Sequence, residues 1–299
     1  MEILKVQGLE KSFGEKKVLK GVNLSVPEGS VFGFVGKNGA GKTTTMKAIL
    51  GLLKSDRGEI YVAGERVTYG QTATNRHIGY LPDVPAFYPF MTAKEYLYLC
   101  GESMGMRRAE IKEESRVLLS LVGLDSENHR IKGYSRGMKQ RLGIASALLA
   151  RPKLLICDEP TSALDPIGRK EILDLLSSVK EQTTVLFSTH ILSDVERICT
   201  DVALLNGGVI AMQGSVGDLK TRFRSDGFAV EVVRVEDVLR IQSAFANATR
   251  TDSNTLTFTG GDDEQFALLA FLARKSIPVV SFSRVEPSLE TLFVEVVSK

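Results

Sequence analysis

The chain has 299 residues, 43% of them hydrophobic and 25% charged, with a formal net charge of +2. This ordinary balance gives no ground for nucleic acid as a partner, and the length predicts two domains or one large domain with an appendage. No run of about 18 apolar residues occurs, so no membrane span is expected, and the alternating start Met1–Val6 reads as a strand rather than a signal peptide. Cys100, Cys157 and Cys199 form neither a metal-ligand spacing nor a disulfide framework, which points to the cytosol.

Strand-like patches open the chain at 3–6, 17–19, 22–26 and 31–35, punctuated by Gly14, Pro27 and Gly29. A helix is predicted from Thr44 to Leu50, stopping near Gly51. Strands follow at 58–64, between glycines, and at 77–82, ended by proline. Helical patterns then dominate from Thr92 to Ala150. Thr92 with Glu95 makes a capping-box pattern, 111–122 carries apolar residues at helical spacing up to Gly123, and 137–150 stops at Arg151-Pro152. A buried strand at 153–157, a helix at 167–179 and a strand at 184–189 come next. Runs at 202–205 and 209–212 flank Asn206-Gly207-Gly208, a strong hairpin signal. Composition shifts near Lys220. Strands at 228–233, 255–259 and 279–282 then alternate with helices at 235–246, 263–274 and 289–297, enough for a small α+β unit.

Gly36-Lys37-Asn38-Gly39-Ala40-Gly41-Lys42-Thr43 matches G-x-x-x-x-G-K-[ST], the phosphate-binding loop. Its glycines let successive backbone N–H groups point at phosphate, Lys42 adds charge at the β/γ-phosphates, and the Thr43 hydroxyl is placed for Mg²⁺. The order strand, glycine loop, helix puts a helix N-terminus, led by Thr44, against an anion. The second half of the chemistry is Leu154-Leu155-Ile156-Cys157-Asp158-Glu159, a buried strand delivering two acids at its C-terminal end. Asp158 suits the Mg²⁺ shell, and Glu159 suits a general base on the attacking water.

These motifs belong with others. Tyr134-Ser135-Arg136-Gly137-Met138-Lys139-Gln140-Arg141 resembles the L-S-G-G-Q signature of ATP-binding cassette ATPases. Ser162-Ala163-Leu164-Asp165 resembles the loop that crosses that family's dimer interface, and His190 after Ser188-Thr189 resembles its switch histidine. Phe13, in Lys11-Ser12-Phe13-Gly14, stands where the family stacks an aromatic on adenine. The resemblance implies an α/β P-loop NTPase cassette over 1–219, with a mixed central sheet, an antiparallel β subdomain and a helical subdomain at about 84–150. A small α+β C-terminal domain would occupy 220–299, like the extension of exporter-type cassettes, the 285–293 stretch included. It also implies ATP and Mg²⁺ as ligands, a homo- or heterodimer of ATPase subunits, and a separate integral membrane permease. Ser135, Arg136, Gly137 and Met138 would face the ATP of the second subunit, Asp165 would lie in the dimer loop, and the protein would sit on the inner face of the membrane.

The chain departs from the family pattern at Asp83 and, within the signature, at Tyr134, Arg136 and Met138, which replace Leu, Gly and Gln. Asp83 stands where a glutamine usually links metal and water to the permease, and it is shorter and charged, a further candidate for the Mg²⁺ shell reached through a water. Arg136 replaces a glycine, and it either adds a cation near phosphate or points to solvent. Phe87, Tyr88, Phe90, Tyr96 and Tyr98 make the segment after Asp83 rich in aromatics. The segment suits the core of the helical subdomain, the reading taken for Tyr96 and Leu97, or, as the resemblance implies, a groove receiving a cytoplasmic helix of a permease. The rival functions are a soluble cassette ATPase of translation or DNA repair and a non-catalytic ATP-gated module. One cassette, about 90 residues between phosphate loop and signature, and the presence of Glu159 argue against them.

Overall fold

Alternation of buried and exposed residues makes the first two elements a hairpin. In the computed structural model, which describes residues 1–71, 73–222, 227–285 and 288–298, β1 (Glu2–Phe13) pairs antiparallel with β2 (Lys16–Pro27). Gly14 turns the hairpin at φ +58°. The separate patches read from sequence are thus two long strands: register shifts within the pair, with Gly8 and Gly21 at positive φ, bend them without ending them. β3 (Val31–Val35) leads into α1 (Lys42–Ile49), and β4 (Arg57–Val62) and β5 (Glu65–Arg66) complete an antiparallel sheet of order β2-β1-β4-β5.

After β6 (Ile78–Leu81) come three helices, α2 (Ala93–Ser103), α3 (Arg108–Leu121) and α4 (Arg136–Leu148). The capping box at the start of α2 forms as expected: Glu95 N–H donates to Thr92 Oγ1 at 3.3 Å, and Thr92 N–H donates to Glu95 Oε2 at 2.8 Å. The chain returns through β7 (Leu154–Asp158), α5 (Pro166–Ser178), β8 (Thr184–Thr189), α6 (Leu192–Ile198), β9 (Asp201–Asn206) and β10 (Val209–Ser215). The central sheet runs β10-β9-β3-β8-β7-β6 and is parallel except for β10. Every residue of β3, β7 and β8 is buried, the mark of parallel strands covered on both faces. Phe32, Phe34, Met46, Ile49, Ile156 and Leu186 sit in one core with the inner residues of the antiparallel sheet, each such side chain contributing about 1.5–3 kcal/mol of burial.

The chain divides into two compact units, Met1–Val216 with the last residues from Val296, and Gly217–Glu295. α7 (Val216–Arg222) precedes β11 (Gly227–Val232), α8 (Val235–Ala244), β12 (Ala248–Arg250), β13 (Thr255–Thr259), α9 (Asp262–Arg274), β14 (Val279–Arg284) and α10 (Leu289–Ser298). The four strands form an antiparallel sheet of order β12-β13-β11-β14. Phe228, Val230 and Val232 alternate inward, with Leu256 and Phe258, onto Val238 and Ile241 of α8 and Leu268 and Leu272 of α9. Phe228 stacks on Phe258 with centroids 4.9 Å apart, and Phe245 meets Phe258 edge-on. Of the 285–293 stretch, Glu286 and Pro287 lie outside the described residues.

Candidate nucleotide site

The parallel order of the central sheet sets β3, β7 and β8 side by side, so the loops at their C-terminal ends meet, the place where open α/β sheets bind ligands. The glycine loop bridges β3 and α1. Gly39 and Gly41 adopt φ +81° and +112°, conformations that side chains disfavour, and a Cβ on Gly41 would lie 2.6 Å from Leu19 Cδ2. A Cβ on Gly36 would stand 2.7 Å from the Leu205 carbonyl oxygen, so that position too excludes a side chain. Lys42 is buried and curls back over the loop, its Nζ donating to the Gly36 carbonyl at 2.7 Å.

Glu159 follows the last residue of β7 at φ +48°, and the two adjacent carboxylates take different partners. Asp158 is buried. Its Oδ2 accepts from Thr43 Oγ1 at 2.8 Å and its Oδ1 from Ser188 Oγ at 2.6 Å. Ser188 Oγ also accepts from the Glu159 backbone N–H at 3.0 Å. Glu159 Oε2 lies 2.9 Å from His190 Nδ1. Its Oε1 is enclosed, accepts no hydrogen bond among the described residues, and forms an ion pair with Lys42 Nζ at 3.1 Å. Burial and the neighbouring Asp158 carboxylate raise the Cys157 thiol well above its usual range, so it is an inert part of the strand. Burial, with Asp158 again secondary, pushes the Tyr80 phenol up to about 12.

Asn38, Gly39, Gly41, Lys42, Thr43, Thr44, Asp83, Glu159, Ser162 and His190 line one cleft of about 460 Å³, together with Val18. The structure therefore brings the phosphate loop, both β7 acids, Asp83 and His190 to a single place. Lys37 and Ala40 belong to the same loop, and the Ala40 N–H donates to the Lys37 carbonyl at 3.0 Å. Thr43 Oγ1 beside a carboxylate oxygen is a hard-oxygen pair that fits Mg²⁺, which takes one or two carboxylates and completes its shell with phosphates and water. Phe13, at the end of β1, is 51% exposed and is not among the cleft's lining residues, and Lys11 Nζ stands 5.4 Å from its ring centre.

The signature residues are not among the residues that line this cleft. Ser135 is the N-cap of α4, its Oγ accepting from the Met138 N–H at 3.2 Å, and Gly137 leaves the helix start open: a Cβ there would meet only Ser135 Oγ, at 4.0 Å. Asp165 caps α5 through the Gly168 N–H at 3.2 Å.

The sequence profile of the ABC transporter family matches residues 19–162, and that of an ATP-binding protein DrrA1-3-like C-terminal domain matches 214–297. An uncharacterized ABC transporter ATP-binding protein of Bacillus subtilis (strain 168), YxlF, is 38% identical over 99% of each chain. This chain belongs to the ABC transporter ATP-binding proteins. The bacitracin transport ATP-binding protein BcrA of Bacillus licheniformis is 40% identical over 74% of this chain and 72% of its own. A solved ATP-binding subunit of an ABC transporter superposes with a TM-score of 0.66 at 33% identity, over 74% of this chain and 93% of the other. Cassettes of this family are nucleotide-binding ATPases that dimerise and work with membrane permeases. The translation and repair alternative finds no support among these relatives, which are transporter subunits. No helix among the described residues is long and apolar enough to cross a membrane.

Ser188 escaped the sequence reading as a functional residue. It appeared there only as context for His190, and its bridge between Asp158 and Glu159 arises from the pairing of β7 with β8. A second unforeseen network ties the loop after Glu159 to α6. Thr161 Oγ1 donates to Asp194 Oδ2 at 2.8 Å, and Arg169 Nε donates to Asp194 Oδ1 at 2.6 Å, with Asp194 only 1% exposed. Residues this far apart in sequence give no spacing signal.

Proposed function

We propose that this cassette drives export, using ATP and Mg²⁺ at two composite sites of a dimer bound to a permease at the inner face of the membrane. The observation that carries the reading is the convergence of Lys42, Thr43, Asp158, Glu159 and His190 on one cleft. Residues 36–44 cradle the triphosphate with backbone N–H groups and the Lys42 ammonium. Thr43 and Asp158 would hold Mg²⁺, with Asp83 a further candidate, and the cation would supply positive charge against the phosphates. Glu159 takes the proton of the attacking water as the bond to the leaving ADP breaks, and His190 holds Glu159 Oε2 in place. Phe13 stacks on the base.

Ser135, Arg136, Gly137 and Met138 present the start of α4 to the nucleotide held by the other subunit, where helix N–H groups favour phosphate. Asp165 lies at the same interface, and C2 symmetry uses both surfaces twice. Residues 1–219 form the catalytic domain and 220–299 an appended domain. The exposed Tyr88 and Phe90, 51% and 60% accessible, supply the aromatic anchors for the permease, whereas Leu97 is core. The resemblance to a bacitracin transport protein supports export as the direction of transport.

The test is Glu159→Gln. Hydrolysis falls about 10²- to 10⁴-fold while ATP still binds. Near-normal turnover removes Glu159 as the base.

A further inference from the structure

Asp83 and Arg136 are two of the departures from the family pattern, and they meet. Arg136 Nη2 lies 3.6 Å from Asp83 Oδ1, an oxygen that is enclosed and accepts no hydrogen bond among the described residues. The contact is built along one face of α4. Positions 136, 140 and 143, spaced by four and three, share that face. Gln140 Nε2 donates to the Asp83 carbonyl at 2.9 Å, and Gly143 is packed so closely that a Cβ would lie 2.5 Å from Leu81 Cδ1. The strand end carrying Asp83 is therefore fastened to the signature helix, and the Asp83–Arg136 pair is the charged end of that seam.

The two residues also serve different sites. Asp83 lines the cleft of its own chain, together with Lys42, Thr43 and Glu159. Arg136 opens α4, next to the capping Ser135, at the end of the helix that carries partial positive charge. A cation there is electrostatically disfavoured by the helix and is stabilised by an anion. Asp83 is the anion present in the single chain. A triphosphate brought by a second copy carries more charge and more acceptor oxygens, in a geometry an arginine can grip with two N–H groups.

We propose that Arg136 is a shared cation. In the single chain it is held by Asp83, and when a nucleotide-loaded second copy closes on α4 it passes to that copy's phosphates and releases the Asp83 carboxylate into its own cleft. The exchange links the two composite sites, since arrival of phosphate at one signature helix changes the charge lining the other cleft. It rests on the two-site dimer reading above. Asp83 acts through Arg136 and is a positioning residue, whereas Arg136 itself contacts the phosphates; their side chains are 45% and 44% exposed, so substitutions leave the core intact.

The test is a double-mutant cycle on dimer formation, measured by sedimentation equilibrium with ATP and Mg²⁺ in the Glu159→Gln background. Asp83→Asn keeps the shape but removes the competitor, and it tightens the dimer by about 2- to 20-fold, because two weak exposed pairs no longer need to be given up. Arg136→Gln weakens the dimer. Asp83→Asn added to Arg136→Gln changes nothing further. Equal effects of Asp83→Asn in both backgrounds, or an unchanged dimer in Arg136→Gln, overturn the exchange while leaving the two-site dimer standing. Absence of any ATP-dependent dimer in the parent Glu159→Gln protein overturns both. Melting temperatures of all four proteins verify that each is folded.

Discussion

Ser188 shows how much one buried hydroxyl carries in this site. It donates to Asp158 Oδ1 and accepts from the Glu159 N–H, so a single side chain on β8 fixes both acids at the end of β7. Ser188→Ala leaves a buried carboxylate oxygen and a backbone N–H without that partner. It should lower stability by about 1–3 kcal/mol, read as a fall in the denaturant midpoint with unchanged slope. An unchanged midpoint would mean that water replaces the hydroxyl at no cost. The residues with strong local signals were legible in the sequence: the glycine loop, Asp158 with Glu159, and His190 are each marked by fixed neighbours. Ser188, Asp194 and the Asp83–Arg136 pair were not, because strand pairing and helix packing bring them together and no spacing encodes that. Arg136 could be read in two ways from sequence, and its position beside Asp83 adds a partner that neither reading contained.

At the scale of elements, packing rather than propensity sets the tightest constraints. α4 crosses β6 so closely that a Cβ on Gly79 would lie 2.2 Å from the Ala147 carbonyl oxygen. That contact is with backbone and no rotamer change relieves it, so Gly79→Ala must push the strand from the helix. The expected loss is about 1–3 kcal/mol, measured by thermal or denaturant unfolding. A stability equal to the parent would show that β6 and α4 are more loosely packed. Most elements were readable from periodicity and caps, including the Thr92 capping box and the hairpin at Gly207. α6 and β12 were missed because seven and three residues are too few to display a period. The long β1–β2 hairpin was read in fragments because Gly8 and Gly21 look like strand ends in sequence, yet their positive φ serves bulges that the pairing continues across.

For the whole molecule, the fold explains why one chain holds a nucleotide but only half of the surfaces proposed to enclose it. The cleft ends of β3, β7 and β8 gather the phosphate loop, the acids and His190, whereas Ser135 and Gly137, at the start of α4, are not among the residues lining that cleft. The cassette and its order of elements were legible because its motifs fall in sequence at the ends of strongly patterned strands and helices. How the signature helix is fastened to the Asp83 loop was not, since the seam rests on Gln140 and Gly143, residues with no distinctive spacing. ATP is proposed to join two copies across these surfaces. The most direct measurement is the mass of the Glu159→Gln protein in solution, by sedimentation or by gel filtration with light scattering, with and without saturating ATP and Mg²⁺. A dimer with nucleotide and a monomer without it are expected, and a protein that stays monomeric under saturating ATP and Mg²⁺ rules out the ATP-joined pair.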